Sequence, residues 1–259
     1  MIKKIFVPVI ILLISLLIFI NYLAYKSPTE EKIITQQHAY SLTNDVNMHV
    51  LLYANKKTSF QEVELIENTY LCNKEETKKL DVELLSIKES GKYSYLKENY
   101  KEYSYVFKLP EVNSYFYIED AYLFIRLKNG HEKQFKIGSF DCYQKEESLN
   151  VVELYGKRYD DFPTLENISF RFSLEEDVFI EHVYLSNGIF TYVGKNIKDN
   201  ELLTIDFPKL DKITNHLTVK IEYQLNGLTK TATLPYFVFY ETIENPLSYG
   251  VLNNVYLLD

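Results

Sequence analysis

The two cysteines are the first residues whose types suggest a specific chemistry. Cys72 and Cys142 each end a run of residues typical of a β-strand. An even number of cysteines without metal-ligand spacing predicts a disulfide in an exported chain. Two buried, unpaired thiols are the alternative. Because the sequence has no C-x-x-C pair, a redox-active role is not expected.

The five histidines are scattered along the chain. His131-Glu132 begins like the helical zinc motif H-E-x-x-H, but Phe135 stands where the second histidine is needed. His182 lies between Glu181 and Val183 in a predicted strand, and we interpret it as a residue of the strand face. The sequence therefore predicts no metal ligand, no cofactor and no catalytic residue.

Acidic clusters occur at Asp160-Asp161 and at Glu175-Glu176-Asp177, beside predicted strand ends. Calcium requires several converging oxygen ligands, and no spaced calcium motif is present. We interpret both clusters as solvated loop charges. No two glycines stand two positions apart, and no Gly-Lys pair is followed by Ser or Thr, which excludes both common nucleotide-binding motifs.

Tyrosine is concentrated between residues 93 and 122. Three pairs alternate along predicted strands, and each pair shares one face of its strand: Tyr93 and Tyr95, Tyr103 and Tyr105, Tyr115 and Tyr117. The functional interpretation of these six rings is a surface for a protein partner. Packing in a core or across strands is one alternative, and a sugar-binding platform is another.

The charge balance argues against nucleic acid as a partner. The chain has 28 Lys+Arg against 36 Asp+Glu, a net charge of -8, whereas affinity for a phosphate backbone comes mainly from basic residues. The aromatic residues are 23 Tyr and 16 Phe with no Trp. Both types favour strands, so we expect a β-rich fold.

Short apolar runs alternate with turn residues beyond residue 44, a pattern typical of an all-β sandwich or barrel. The predicted strands are Asn47–Tyr53, Phe60–Cys72, Lys79–Lys88, Tyr100–Leu109, Tyr115–Leu127, Lys133–Tyr143, Val151–Tyr155, Asn167–Ser173, Phe179–Leu185, Phe190–Val193, Leu202–Phe207, Leu217–Leu225 and Thr229–Tyr240.

Two Asn-Gly pairs, Asn129-Gly130 and Asn226-Gly227, predict tight hairpins and lie 97 positions apart. At that offset residues 122–140 align with 219–237, and residues 82–99 align with 179–196. Turn chemistry that any two β-hairpins share is the alternative, but a common register over two separated segments favours a tandem repeat. A repeat of this length suits two tandem immunoglobulin-like sandwiches, and we predict domains at residues 44–147 and 148–242 with a tail at 243–259. The resemblance is architectural and carries no function.

The N-terminal residues 5–25 form an apolar run after Lys3 and Lys4, long enough for a membrane span. We predict a transmembrane signal anchor there, preceded by a cytoplasmic segment at 1–4 and followed by a stalk at 26–43. A cleaved signal peptide is the alternative, but Tyr22 is bulky where cleavage needs a small residue. The flanking charges place residues 26–259 outside the cell membrane.

These features together predict a function without catalysis. The main hypothesis is a membrane-anchored extracytoplasmic protein that binds or positions a protein partner in the cell envelope. A module for cell-surface glycans or host surfaces is the alternative, and a hydrolase with an unrecognised site is a third. A flat aromatic patch would favour the first, a shallow groove with Tyr rings and carboxylates the second, and a closed pocket the third.

Overall fold

The fold is described from a computed structural model. The residues described are 14–18, 30–113, 115–145, 149–185, 190–215, 217–234, 238–239 and 243–258. Within them, residues 14–18 form one short α-helical segment, and Ser59–Gln61, Val63–Leu65, Pro246–Ser248 and Gly250–Leu252 form 3-10 turns. Strands dominate the remainder.

Eighteen strands lie within the described residues. They are β1 Glu31–Gln36, β2 His38–Thr43, β3 Met48–Ala54, β4 Ile66–Cys72, β5 Lys79–Asp81, β6 Glu83–Tyr95, β7 Glu98–Lys108, β8 Tyr115–Leu127, β9 Glu132–Tyr143, β10 Val151–Tyr159, β11 Phe162–Phe172, β12 Val178–Tyr184, β13 Phe190–Ile197, β14 Leu203–Asp206, β15 Val219–Leu225, β16 Leu228–Leu234, β17 Val238–Phe239 and β18 Asn253–Leu258.

The strands form four small sheets. Sheet A has the order β18-β1-β3-β7-β6, and sheet B the order β2-β9-β8-β4-β5. Sheet C has the order β14-β11-β10-β17, and sheet D the order β13-β12-β15-β16. Most neighbours are antiparallel, while β2 with β9 and β10 with β17 are parallel.

Each hydrophobic core lies between two sheets. Val50 and Leu52 of sheet A pack in one core with Leu123 and Phe135 of sheet B. Alternate residues of each strand point to opposite faces, which is why the even-numbered residues of β3 enter the core. Sheets A and B therefore form the first unit of the fold.

The second unit consists of sheets C and D. Phe170 of sheet C lies in a separate core with Ile180, Ile221 and Ala232 of sheet D. The side chains of Val183 and Ile221 face inward, so those at 182, 220 and 222 lie on the outer face of sheet D. This outer face carries the candidate site described below.

The predicted fold class, a transmembrane helix followed by two tandem immunoglobulin-like sandwiches, is corrected by these sheets. The four small sheets resemble a four-bladed, propeller-like ring. The first unit also takes strands from distant parts of the chain, since β18 pairs with β1 from Glu31↔Leu258 to Gln36↔Asn253. The units are therefore not two consecutive segments.

The predicted membrane anchor is also contradicted. No helix among the described residues combines the length and apolar character needed to cross a membrane. Of the predicted span at 5–25 the structure describes 14–18, and the predicted cytoplasmic segment at 1–4 lies outside the described residues. This finding overturns the predicted membrane partner and the placement of residues 26–259 outside the cell.

The segments predicted as stalk and tail are part of the fold. Residues 31–43, within the predicted stalk at 26–43, form β1 and β2, and residues 253–258 of the predicted tail form β18. Ile33 and Ile34 are fully buried. The sequence pattern missed β2 because both of its faces are buried, which removes the alternation by which a strand is recognised.

Strand β2 joins the two units. It pairs in parallel with β9 from His38↔Gly138 to Thr43↔Tyr143. On its other side the backbone N–H of Ala39 donates to the carbonyl of Ile213 at 2.8 Å, and the N–H of Ile213 donates to the carbonyl of Gln37 at 2.9 Å. The first unit thus shares backbone hydrogen bonds with the second.

The Asn-Gly turns differ from each other. Asn226 and Gly227 both have positive φ, 54° and 77°, as the predicted tight hairpin requires. In the other pair Gly130 has a φ of 86° while Asn129 does not have a positive φ, and the connection from β8 to β9 is longer. The third Asn-Gly pair, at 187–188, lies outside the described residues.

The 97-residue offset corresponds to equivalent structure only in part. The hairpin β8–β9 aligns with the hairpin β15–β16. The second aligned pair, residues 82–99 with residues 179–196, does not occupy equivalent positions in the sheets. Strand β6 is the edge strand of sheet A, whereas β12 lies inside sheet D between β13 and β15.

Candidate functional site

A cleft of about 540 Å³ lies where the end of sheet B meets the outer face of sheet D. Its described lining consists of Tyr115, Tyr143, Gln144, Lys145, Tyr184, Leu185, Lys220, Glu222, Thr231 and Thr233. Ligand sites of soluble proteins commonly have volumes of roughly 300–1,000 Å³ and combine aromatic walls with a few polar groups. The cleft has this composition.

The first wall is a pair of tyrosine rings. Tyr115 begins β8 and is directly opposite Tyr143 at the end of β9, and their ring centroids are 5.0 Å apart. Tyr115 is 47% exposed. Its hydroxyl donates to Oδ1 of the buried Asp141 at 2.9 Å, which fixes the ring in the wall of the cleft.

The second wall consists of two rows of side chains across sheet D. Lys220 of β15 is paired with Tyr184 on one side and Thr233 on the other. In the next row Glu222 is paired with His182 and Thr231. The hydroxyl of Tyr184 donates to Oε2 of Glu222 at 3.1 Å.

The tyrosines of the cleft are held in the neutral phenol form. Burial raises the pKa of Tyr115, and the neighbouring Asp141 carboxylate raises it further. Burial also raises the pKa of Tyr143 and of Tyr184, the latter with a contribution from its hydrogen bond to Glu222. At neutral pH the rings therefore present uncharged faces and hydroxyl groups.

A cluster of three metal-ligating side chains borders this wall. One ligand atom from each of Glu181, His182 and Glu222 can be chosen so that all three lie within 4.8 Å of one another. It is the one group of this kind among the residues that the structure describes, and we refer to it as the sheet D cluster.

The six tyrosines predicted as a partner surface are divided among three places. Tyr103 and Tyr105 are buried in the first core. Tyr93 and Tyr95 pack on the outer face of sheet A around the buried Tyr53. Tyr115 and Tyr117 lie on sheet B with ring centroids 6.2 Å apart. The structure brings only Tyr115 of the six into the cleft.

Cys72 and Cys142 are buried free thiols. They lie on β4 and β9, which β8 separates in sheet B. Cys142 belongs to the first core, whereas Cys72 packs with Tyr70 and Phe124 outside it. Burial raises the pKa of Cys72 to about 11 and that of Cys142 to about 12, so both are protonated at neutral pH.

The acidic clusters noted in the sequence do not converge. Asp160 and Asp161 form the turn before β11, while Glu175, Glu176 and Asp177 follow it, so the length of β11 separates them. Asp161 forms an ion pair with Lys209 at 2.7 Å. At the remaining candidate motif, Glu132 beside His131 pairs with Arg126 at 2.9 Å.

Most of the cleft was not predicted from sequence. Lys220 and Glu222 occupy alternate positions of β15 between the buried Val219, Ile221 and Tyr223, and this alternation does indicate that both face solvent. The sequence gives no sign that Tyr115 and Tyr143 lie beside them, because that contact depends on how the two units meet.

Comparison with known proteins leaves the family open. No protein-family profile and no curated protein matches the sequence. Two solved structures are weakly similar. A crystal structure of the Pseudomonas aeruginosa CupB2 chaperone is 10% identical, with a TM-score of 0.22, and the match covers 78% of this chain and 99% of that one. The D00-D0 domain of intimin is 11% identical, with a TM-score of 0.19, and the match covers 81% of this chain and 100% of that one.

Proposed function

We propose that this chain is a non-enzymatic carbohydrate-binding protein that holds an oligosaccharide segment in the cleft between sheets B and D. The observation that carries the proposal is that the exposed Tyr115 ring lines the same cleft as a row of hydrogen-bonding side chains. Of the functions that the sequence leaves open, the glycan alternative fits best a groove with tyrosine rings and a carboxylate.

The chemistry of the two walls suits a sugar. A pyranose ring has an apolar face of C–H groups and an edge of hydroxyls. The ring of Tyr115 provides an apolar surface for the C–H face. Lys220 donates hydrogen bonds and Glu222 accepts them. The hydroxyls of their cross-strand partners in β16, Thr231 and Thr233, can do both. A sugar can therefore stack on one wall and hydrogen-bond to the other.

The other two functions have less support. The division of the predicted tyrosine surface into three places weakens the protein-partner hypothesis. A glycosidase generally uses a pair of carboxyl groups beside the scissile bond, whereas Glu222 is the single carboxylate in the described lining. Binding without hydrolysis is the simpler use of this cleft.

The test is binding of a panel of defined tetrasaccharides, including cellotetraose and chitotetraose, by saturation-transfer NMR and calorimetry in the presence of EDTA. We expect at least one to bind, and Tyr115→Ala and Lys220→Ala each to weaken it about 10-fold, the equivalent of about 1.4 kcal/mol. The matched control is Tyr192→Ala, since Tyr192 is 63% exposed and is not among the described lining residues. Binding of no member of the panel, or equal binding by all variants, would contradict the proposal.

A further inference from the structure

The sheet D cluster depends on a bulge in β12. His182 and Glu222 are direct cross-strand partners, and Ile180 pairs with Tyr223, the neighbour of Glu222, so β12 has one residue more than β15 between these two pairs. Glu181 is therefore the extra residue of a β-bulge. Neighbours in a regular strand face opposite sides of the sheet, but a bulge redirects its side chains. Glu181 thereby joins His182 on the outer face.

The distance between His182 and Glu222 is close to the ligand spacing of a coordination sphere. Nδ1 of His182 lies 3.6 Å from Oε1 of Glu222. Zinc–ligand bonds of about 2.0–2.1 Å in a tetrahedron separate neighbouring ligand atoms by roughly 3.3 Å. The His182–Glu222 pair needs a shift of a few tenths of an ångström to reach this spacing, while Glu181 offers an oxygen within 4.8 Å of both other ligand atoms and must move further.

We propose that Glu181, His182 and Glu222 bind a divalent first-row transition metal ion, with zinc as the best fit. An imidazole nitrogen with two carboxylate oxygens favours such an ion over magnesium or calcium, which take oxygen ligands. The two carboxylates also balance the double positive charge of the cation. Three protein ligands leave a coordination position for water or for a ligand group.

Neighbouring side chains orient the three ligands. Tyr184 donates to Oε2 of Glu222, so that Oε1 remains directed at His182. Nε2 of Gln224 lies 3.4 Å from Oε2 of Glu181. The ring of Tyr192 packs edge-on against His182 with centroids 5.4 Å apart. Such outer contacts fix the direction of metal ligands and raise affinity.

A simple ion pair between protonated His182 and Glu222 is the competing explanation. It accounts for the 3.6 Å contact, but it assigns no role to Glu181 and requires no bulge. The two explanations differ in one measurable respect, since the ion pair predicts no specific uptake of a metal ion.

The test is calorimetric titration of the metal-stripped full chain with zinc chloride, without sugar. We expect one zinc ion per chain, and a loss of affinity of at least about 10-fold in Glu181→Gln and in His182→Asn. His131→Asn is the matched control, because His131 is also followed by a glutamate but lies in the β8–β9 turn. It should bind zinc as the unaltered chain does.

Cobalt gives a second readout that does not depend on heat. Its visible absorption bands should appear on binding and be lost in His182→Asn, while urea midpoints verify that each variant is folded. No zinc uptake by the folded chain, or uptake that neither substitution weakens, overturns the proposal. Because sugar binding is measured in EDTA and zinc binding without sugar, either proposal can fail while the other stands.

Discussion

The outer faces of sheets B and D each hold aromatic rings beside a carboxylate, but the two carboxylates differ in how they are used. Beside sheet B, Glu76 of the β4–β5 connection accepts hydrogen bonds from Tyr70 at 3.0 Å, from Gln134 at 2.6 Å and from Lys79. Both of its oxygens are occupied. In sheet D, Glu222 accepts from Tyr184, and its second oxygen faces His182 at 3.6 Å.

The aromatic rings show the same difference. We refer to Tyr70, Glu76, Lys79 and Phe124 as the sheet B cluster. The ring centroids of Tyr70 and Phe124 are 4.3 Å apart, and the two residues are 7% and 3% exposed. Lys79 lies over the Tyr70 ring at 4.6 Å. Tyr192, beside the sheet D cluster, is 63% exposed. One cluster is closed by its own side chains, and the other retains an accessible face and coordination capacity.

The largest expected effect is on the free energy of unfolding, which should depend more on the sheet B cluster than on the sheet D cluster. Phe124→Ala removes a stacked, buried ring and should lower the free energy of unfolding by about 3 kcal/mol. Tyr184→Ala removes a partly exposed ring and one hydrogen bond and should cost about 1 kcal/mol. Urea denaturation measures both. Equal losses would mean that the sheet D cluster is as structural as the sheet B cluster.

Zinc should stabilise the chain through one cluster alone. At a free zinc concentration 100 times Kd, binding to the native state raises the free energy of unfolding by about 2.7 kcal/mol. Thermal melts should show this increase in the unaltered chain and in Glu76→Gln, and an increase of only about 1.4 kcal/mol or less in Glu181→Gln at the same zinc concentration. The full increase in Glu181→Gln would place the bound ion elsewhere.

The residues that orient each carboxylate provide a finer comparison. Gln224→Ala removes the contact to Glu181 and should weaken zinc binding by about 10-fold, which corresponds to about 1.4 kcal/mol. Gln134→Ala removes the equivalent contact to Glu76 and should leave the zinc affinity unchanged. Calorimetry on the two variants decides whether the orientation of Glu181 contributes.

Acid should affect the sheet B cluster through Glu76. The hydrogen bond from Lys79, and then that from Tyr70, lowers the pKa of Glu76 below its ordinary value of 4.5. A carboxyl with a lowered pKa in the folded state contributes stability above its unfolded pKa and loses it as pH falls through the folded pKa. Between neutral pH and pH values below 4.5, the urea midpoint should therefore fall less in Glu76→Gln than in the unaltered chain.

Local sequence patterns predict where the strands lie better than they predict which strands pair with each other. The run Tyr115–Leu127 coincides with β8, and the Asn226-Gly227 turn has the predicted backbone conformation, because both depend on residues close in sequence. The pairing of β1 with β18 and the burial of β2 depend on distant segments. Because these features depend on distant segments, the sequence does not predict them. The predicted immunoglobulin-like arrangement and the predicted anchor are both incorrect.

The candidate sites divide in the same way. The sequence places His182 on a strand face, and the structure agrees. The position of Glu222 beside it depends on the register of β15. Strand β12 itself contains no glycine or proline that would indicate a bulge at Glu181. Likewise Tyr115 is visible as one of a tyrosine pair, but its position opposite Lys220 depends on the contact between units.

The pairing of β1 with β18 also constrains how the chain is made. Residues 31–36 leave the ribosome long before residues 253–258, so the first unit lacks an edge strand while the second is being synthesised. Such long-range pairing slows folding and leaves a strand edge open to mispairing. A nascent chain stalled before residue 253 should hold sheet A incomplete, and release of the C-terminal residues becomes the step that commits the molecule to its final form.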